Sequence, residues 1–149
     1  MPTDHAFTPM LAGVAERARA AGVFSRVETE GGVLRCHAPA SAEPAWHALF
    51  RDGGSVYIAL QTPARYLSQS IEQDLVHTGD KIEDLLQEEL TELEYEGPAL
   101  RVEHFRDEQK LYTFRSALPA GAGTETAAKV LLAYEACFRR LGDMEAGKD

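Results

Sequence analysis

The sequence is short of basic side chains, cysteines and long apolar runs, and each shortage excludes a class of protein. Its formal net charge is −9, from 15 Lys and Arg against 24 Asp and Glu. That balance argues against direct nucleic-acid binding, because such proteins neutralise phosphates with Lys and Arg. Two cysteines, Cys36 and Cys137, make no disulfide framework. No apolar run has the length of a membrane span, and MPTDHAFTPM has neither the basic nor the apolar segment of a secretion signal. We therefore expect a cytoplasmic protein that binds neither nucleic acid nor membranes.

Catalytic and metal-binding motifs are lacking as well. The histidines show no His-x-x-x-His pair and no zinc spacing. Cys36 and His37 are neighbours on a predicted strand, so their side chains point to opposite faces and form no nucleophile–base pair. The Gly-rich segment 121–124 lacks the Lys of a phosphate-binding loop. The sequence therefore predicts no catalytic residue, no metal site and no cofactor. The alternative is a small-molecule enzyme of unknown type that uses scattered His and Glu residues.

What the sequence does contain is a long stretch of helix signal between Pro63 and Pro98. Its apolar residues recur at spacings of three, four or seven, which places them on one helical face. These residues are Leu67, Ile71, Leu75, Ile82, Leu85, Leu86, Leu90 and Leu93. Gly79 lies between the two halves of this stripe and favours a break. One kinked helix and two abutting helices both fit residues 64–96.

The length of this stretch motivates a predicted homodimer. A helix of about thirty residues would be roughly 45 Å long, whereas a domain of this size has a radius of gyration of about 15 Å. The leucines of the second half would then pack against a second copy of the chain. The predicted dimer interface consists of Ile82, Leu85, Leu86, Leu90 and Leu93. In the rival account, a bend at Gly79 folds the second half back onto the chain's own sheet.

The same stretch concentrates acidic side chains, which have two interpretations. A solvated surface that keeps the protein soluble is the first. A docking face for a basic protein is the second, because complementary charge accelerates association. The acidic candidates for partner binding are Glu88, Glu89 and Glu92. Tyr57 and Tyr112, on predicted strands, are further candidates for contact with a client protein.

Strand signals flank this stretch on both sides. Tight turns separate 23–30 from 33–37, 46–51 from 56–61, and 100–105 from 110–118, and helices are predicted at 8–21 and 124–141. Strands joined by tight turns cannot be parallel, so we predict an α+β fold with an antiparallel sheet of about five strands. The predicted order is α-β-β-β-α-β-β-α in a single domain, 1–149, with flexible ends at 1–7 and 143–149.

Two of the predicted hairpins share a short motif. Phe50-Arg51-Asp52 and Phe105-Arg106-Asp107 stand at matching places, with Tyr57 and Tyr112 each five residues beyond the Asp. An internal hairpin-plus-helix repeat would explain this match. We interpret it instead as the common pattern of two hairpins, because the matched residues are few.

The hairpins AWHALFRDGGSVYIALQTP and LRVEHFRDEQKLYTFRSALP, followed by the helix ETAAKVLLAYEACFRRLGDM, resemble the YbjN family. These bacterial proteins are often labelled sensory transduction regulators, and their fold is similar to that of class I type III secretion chaperones. The resemblance implies a homodimeric, non-enzymatic protein-binding module or chaperone-like adaptor with an unidentified client, in stress response or regulation. The middle helical stretch is longer and more acidic than the family pattern.

Overall fold

The computed structural model describes residues 2–39 and 43–141. Four helices and six strands make up this part of the chain, and they confirm the predicted α+β class. The helices are α1 (Pro2–Ala21), α2 (Arg65–Thr78), α3 (Ile82–Glu92) and α4 (Thr124–Arg139). The strands are β1 (Arg26–Glu30), β2 (Val33–His37), β3 (Trp46–Asp52), β4 (Ser55–Thr62), β5 (Glu103–Arg106) and β6 (Tyr112–Ala117).

The strands form one antiparallel sheet in the order β1-β2-β3-β4-β6-β5. The predicted count of about five strands is thus one short, and the predicted order lacks one strand and one helix. All six segments that the predicted turns delimit form strands, and Gly31-Gly32 and Gly53-Gly54 each close one of the hairpins. All four glycines have positive φ angles, which the tightest hairpin turns require at their two central positions.

The two faces of the sheet differ in what covers them. Side chains alternate between the faces along each strand, and one set packs with helices in a single buried core. Leu34, Leu49, Ile58, Leu60 and Phe114 belong to that set. We name this the covered face, and the opposite side of the sheet the open face, since every described helix contributes its buried side chains to the core on the covered side.

Helix α1 begins earlier than predicted. Residues 1–7 were expected to form a flexible tail, but α1 starts at Pro2 and contains Pro9 in its interior. Phe7 is 7% exposed and belongs to the core, and the Arg51 guanidinium lies 4.9 Å from its ring centroid. Burial of this ring favours the additional turns despite the cost of an internal proline. The other predicted flexible segment, 143–149, lies outside the described residues.

The middle stretch forms two helices rather than one. Gly79 adopts the left-handed conformation, with φ of 77°, and its N–H donates to the Leu75 carbonyl at 2.9 Å. That geometry ends α2 in the manner of a glycine C-cap. Among the described residues, none of the helices combines the length and the apolar character needed to cross a membrane.

Candidate functional site on the open face of the sheet

The leucines assigned to a dimer interface are taken up by the chain itself. Leu86 and Leu90 are 1% and 0% exposed within the core, and α3 packs against α4. Ile82, Leu85 and Leu93 are partly buried against the same core. The assignment of Leu86 and Leu90 to a dimer surface is therefore wrong, because the turn at Gly79 folds α3 back, as the rival account stated. The homodimer itself stays a prediction, without its geometric argument.

The three acidic candidates on α3 do not share one environment. Glu89 Oε2 lies 3.1 Å from an Arg140 guanidinium nitrogen, and the Glu89 side chain is 21% exposed. Glu88 and Glu92 are exposed. Of the three candidates, Glu88 and Glu92 therefore present solvated carboxylates that a partner could contact. Both interpretations of the acidic surface, solvation and docking, stay predictions.

Tyr57 and Tyr112, the two tyrosine candidates, lie on opposite faces of the sheet. Phe50 pairs with Tyr57 across β3 and β4, whereas the equivalent Phe105 pairs with Thr113, one residue beyond Tyr112. The loop between β5 and β6 is therefore one residue longer than the loop between β3 and β4. That extra residue shifts the register by one position, which moves Tyr112 to the face opposite to that of Tyr57. Tyr57 is on the open face and Tyr112 on the covered face.

A row of residues crosses the middle of the open face. Arg35, Ala48, Ala59 and Arg115 are register neighbours on β2, β3, β4 and β6. Both alanines are 0% exposed, although they lie on the side that the described helices do not cover. Their small side chains leave room for the longer side chains of adjoining strands to lie across them. The two arginines thus flank a pair of alanines that neighbouring side chains cover completely.

Arg115 is fixed by contacts on all sides. Its Nε donates to Glu103 Oε1 at 2.8 Å, and a terminal nitrogen donates to Asp52 Oδ2 at 3.0 Å. The guanidinium lies 3.9 Å from the Tyr57 ring centroid and 4.9 Å from that of Phe105. Burial by itself would lower the pKa of Arg115, but the two carboxylates outweigh it and raise the pKa. Arg115 therefore organises this face with its own charge already balanced.

A hydrogen-bonded chain of side chains crosses the neighbouring row. Trp46 Nε1 donates to Gln61 Oε1 at 3.1 Å, and Gln61 Nε2 donates to Thr113 Oγ1 at 3.4 Å and to Asp107 Oδ2 at 3.5 Å. Asp107 Oδ1 accepts the backbone N–H groups of Gln109 and Leu111, each at 2.9 Å. The Asp107 carboxylate thus uses three of its roughly four acceptor positions inside the chain.

Between these rows lies a groove with a volume of about 530 Å³. Its charged lining consists of Arg35, Arg51, Arg106, Arg115, Asp52, Asp107 and Glu108. Of the four arginines, Arg35 and Arg115 lie on the open face. The side chains of Arg51 and Arg106 lie on the covered face, where their guanidinium groups contact the rings of Phe7 and Tyr112. The groove therefore combines the two open-face arginines with carboxylates.

The sequence contained a signal for this groove. All six residues of the repeated motif, 50–52 and 105–107, contribute to its lining. The motif was interpreted as ordinary hairpin pattern. The strands β3 and β5 bring Phe50, Asp52 and Phe105 to the open face, while Arg51 and Arg106 point to the covered face. Arg35 and Gln61, which the sequence did not single out, complete the lining and become visible only through strand pairing.

A second cluster joins α2 to β5 on the covered side. His104 Nε2 lies 3.0 Å from Ser68 Oγ, and His104 Nδ1 lies 3.1 Å from Glu72 Oε2. The imidazole stacks on the Phe114 ring with centroids 3.8 Å apart. Burial lowers the pKa of His104, and Glu72 opposes that shift. The order of hydroxyl, imidazole and carboxylate matches that of a nucleophile, its base and the group that orients the base. Ser68 is 1% exposed, however, so its hydroxyl is closed to a substrate.

The remaining titratable groups of interest are buried in the core. His47 is 1% exposed, its Nδ1 has no hydrogen-bond partner, and burial lowers its pKa to about 3. Burial raises the pKa of Cys36 and of Cys137 to about 12, which leaves neither thiol reactive. Within the described residues, no three His, Cys, Asp or Glu side chains are grouped as metal ligands would be.

Comparison with known proteins found no relative of this chain. No protein-family model, no curated protein and no solved structure matches the chain. The resemblance to the YbjN family therefore stays a prediction. What the structure itself defines is an α+β domain with helices on one face of its sheet and a charged, aromatic groove on the other.

Proposed function

We propose that this chain is a non-enzymatic protein-binding module that holds an extended segment of a partner protein in the groove of the open face. The observation that carries the proposal is the groove itself. Two phenylalanines, Phe50 and Phe105, line it together with arginines and the Gln61 amide. Apolar rings and a few fixed polar groups on a concave surface are the usual composition of a binding site.

The shape of the groove favours an extended occupant. Asp52 and Asp107 line it near opposite ends of the strands, since Asp52 pairs with Ser55 at the start of β4 and Gln61 contacts Asp107 near its end. A strand advances about 3.4 Å per residue, so six residues of an extended chain would span roughly 20 Å. An extended segment presents every second side chain to the surface beneath it, so two or three of its side chains would reach the groove.

The chaperone-like adaptor role, the homodimer and a place in stress response or regulation belong to the same proposal, and they rest on the family resemblance. The dimer is the part that is simplest to test. Light scattering of the unmodified protein at high micromolar concentration is expected to give twice the chain mass. A monomer mass at that concentration would remove the dimer and leave the groove proposal intact.

The groove proposal is tested by panning a displayed library of random 12-residue peptides against the immobilised protein. Enriched peptides are then measured against Phe50→Ser and Phe105→Ser, which each remove one ring from the groove. The matched control is Tyr66→Ser, which removes an aromatic ring that is 79% exposed on α2. We expect the groove variants to lose most of the binding and the control to keep it. Peptides that bind all variants equally would contradict the proposal.

A hydrolase is the second candidate, favoured by the single observation of Ser68, His104 and Glu72 in hydrogen-bonded order. A fluorophosphonate probe tests it, because such probes label activated serines. The binding-module proposal predicts that Ser68 stays unlabelled in the native protein. Labelling of Ser68 that disappears in His104→Asn would establish an activated serine and favour the enzyme.

A further inference from the structure

We propose that the segment held in the groove carries an acidic side chain, and that Arg35 binds its carboxylate. This inference rests on the proposed function and names the chemistry of its partner. It requires that Arg35 faces the groove, that its charge is not already balanced by an ion pair, and that the other groups of the groove do not compete for it.

Arg35 meets the first two requirements. It lines the groove, and its Nε is buried without a hydrogen-bond partner among the described residues. Its guanidinium lies 5.5 Å from the Trp46 ring centroid, which holds the side chain over the sheet by a cation–π contact. The unpartnered Nε shows that no acceptor of the described chain holds this guanidinium, so a carboxylate that reaches the outer part of the group can form a charge-assisted hydrogen bond with it.

The acidic residue that pairs with Arg35 across the strands, Glu28, makes its close contacts with other side chains. Glu28 pairs with Arg35 across β1 and β2, yet its Oε2 lies 2.9 Å from His37 Nε2 and 3.4 Å from an Arg26 nitrogen. The hydrogen bond with His37 is the largest cause of the lowered pKa of Glu28. Glu28 thus directs its carboxylate to His37 and Arg26, and Arg35 is near enough to lower the pKa of Glu28 further.

Two of the three acids that line the groove are occupied as well, and the third, Glu108, is exposed on the turn between β5 and β6. Asp52 accepts from Arg115, and Asp107 accepts from two backbone N–H groups and from Gln61. These contacts hold both carboxylates in place, and within the described part of the chain they leave Arg35 with no carboxylate at ion-pair distance. An acidic side chain from outside is therefore the complement that the groove lacks, and a basic one would meet Arg35 with like charge.

Trp46 provides a built-in reporter for this contact. It is the only tryptophan of the chain, its ring lies against Arg35, and its indole N–H bonds to Gln61 in the groove. Blocked octapeptides of the sequence Ser-Phe-Thr-Xaa-Thr-Phe-Ser-Gly, with Xaa as Glu, Gln or Lys, serve as probes. In an extended chain their two rings and Xaa face the same side. Trp46 emission and the polarisation of labelled peptide give two independent readouts.

We expect the Glu peptide to bind about tenfold more tightly than the Gln peptide, as one charge-assisted contact warrants. The Lys peptide should bind most weakly of the three. In Arg35→Gln the Glu and Gln peptides should bind within about twofold of each other, and Arg35→Lys should restore part of the preference. Arg65→Gln, at an exposed arginine on α2, is the matched control and should keep the full preference. Thermal melts establish that each variant is folded.

Equal binding of the Glu and Gln peptides to the native protein would overturn the inference, as would a preference for Glu that survives in Arg35→Gln. In either case groove-dependent peptides from the panned library would leave the proposed function standing. If no octapeptide binds and the panned peptides lack acidic residues, the inference also fails by itself. If panning gives no peptide that depends on Phe50 or Phe105, the proposed function fails with it.

Discussion

The covered and open faces of the sheet come from the same strands but are held together by different means. On the covered face, Leu49 and Ile58 are cross-strand partners and are both 0% exposed beneath the helices. On the open face, the neighbouring pair of Phe50 and Tyr57 stacks with ring centroids 5.8 Å apart and stays partly exposed. Burial on the covered face thus contributes most of the free energy of folding, whereas contacts on the open face keep side chains ordered and accessible to a partner.

The largest expected effect comes from truncating adjacent residues on the two faces. Leu49→Ala should lower the free energy of unfolding by about 2–5 kcal/mol, because it leaves a cavity in a packed core. Phe50→Ala should cost about 1 kcal/mol, since it removes a partly exposed ring and one aromatic contact. Urea denaturation of both variants measures the two values. Equal losses would break the distinction between the faces.

A second variant tests how closely the helix layer packs over the covered face. A Cβ at Gly13 on α1 would lie 2.7 Å from Thr124 Cγ2 at the start of α4. Gly13→Ala should therefore destabilise the protein by about 1–2 kcal/mol by overpacking. In a Thr124→Ser background, which lacks that methyl group, the same change should be neutral or stabilising, because Ala favours a helix over Gly by about 1 kcal/mol. Denaturation of the four proteins in the cycle gives the coupling.

The smallest of the stability effects concerns pH and the histidine on the covered face. The pKa of His47 falls from 6.5 to about 3 on folding, so the unfolded chain takes up a proton below pH 6.5 that the folded chain refuses. The stability that the neutral His47 contributes to the folded state is fully present above pH 6.5. It is lost progressively as the pH falls from 6.5 to about 3. From pH 6.5 to 5.5 the loss should be about 1 kcal/mol.

His104, whose pKa is also lowered, acts in the same direction and contributes to the acid sensitivity. Chemical denaturation across this pH range should give a shallower dependence for His47→Leu than for the native protein. His77→Gln, at an exposed position on α2, is the control and should follow the native curve. An unchanged slope in His47→Leu would mean that His47 does not sense acid in the folded state.

The sequence predicted the sheet well because its signals are local. Alternation along 56–61 places Ile58 and Leu60 on one face and Tyr57 on the other, and the strand pairing in the structure has the same arrangement. Gly-Gly turns fixed the antiparallel pairing through their backbone conformation. These features depend on a few neighbouring residues, which a single sequence shows directly.

The parts that the sequence did not predict depend on distant contacts. The apolar stripe ending at Leu90 has the same phase whether the helix continues or breaks at Gly79, so periodicity alone could not place Leu86 in the chain's own core. The cluster of Ser68 with His104 requires α2 to lie over β5, which no local pattern encodes. Arg35 enters the groove only because β2 is a neighbour of β3.

The central claim is that the open face binds a partner segment, and nuclear magnetic resonance tests it most directly. A peptide selected by panning is titrated into the ¹⁵N-labelled protein, and amide and indole shifts are followed. The account predicts changes at the Trp46 indole, at Arg35 and around Gln61, with α3 unaffected. Changes confined to the exposed acids Glu88 and Glu92 on α3, with the open face silent, would contradict it.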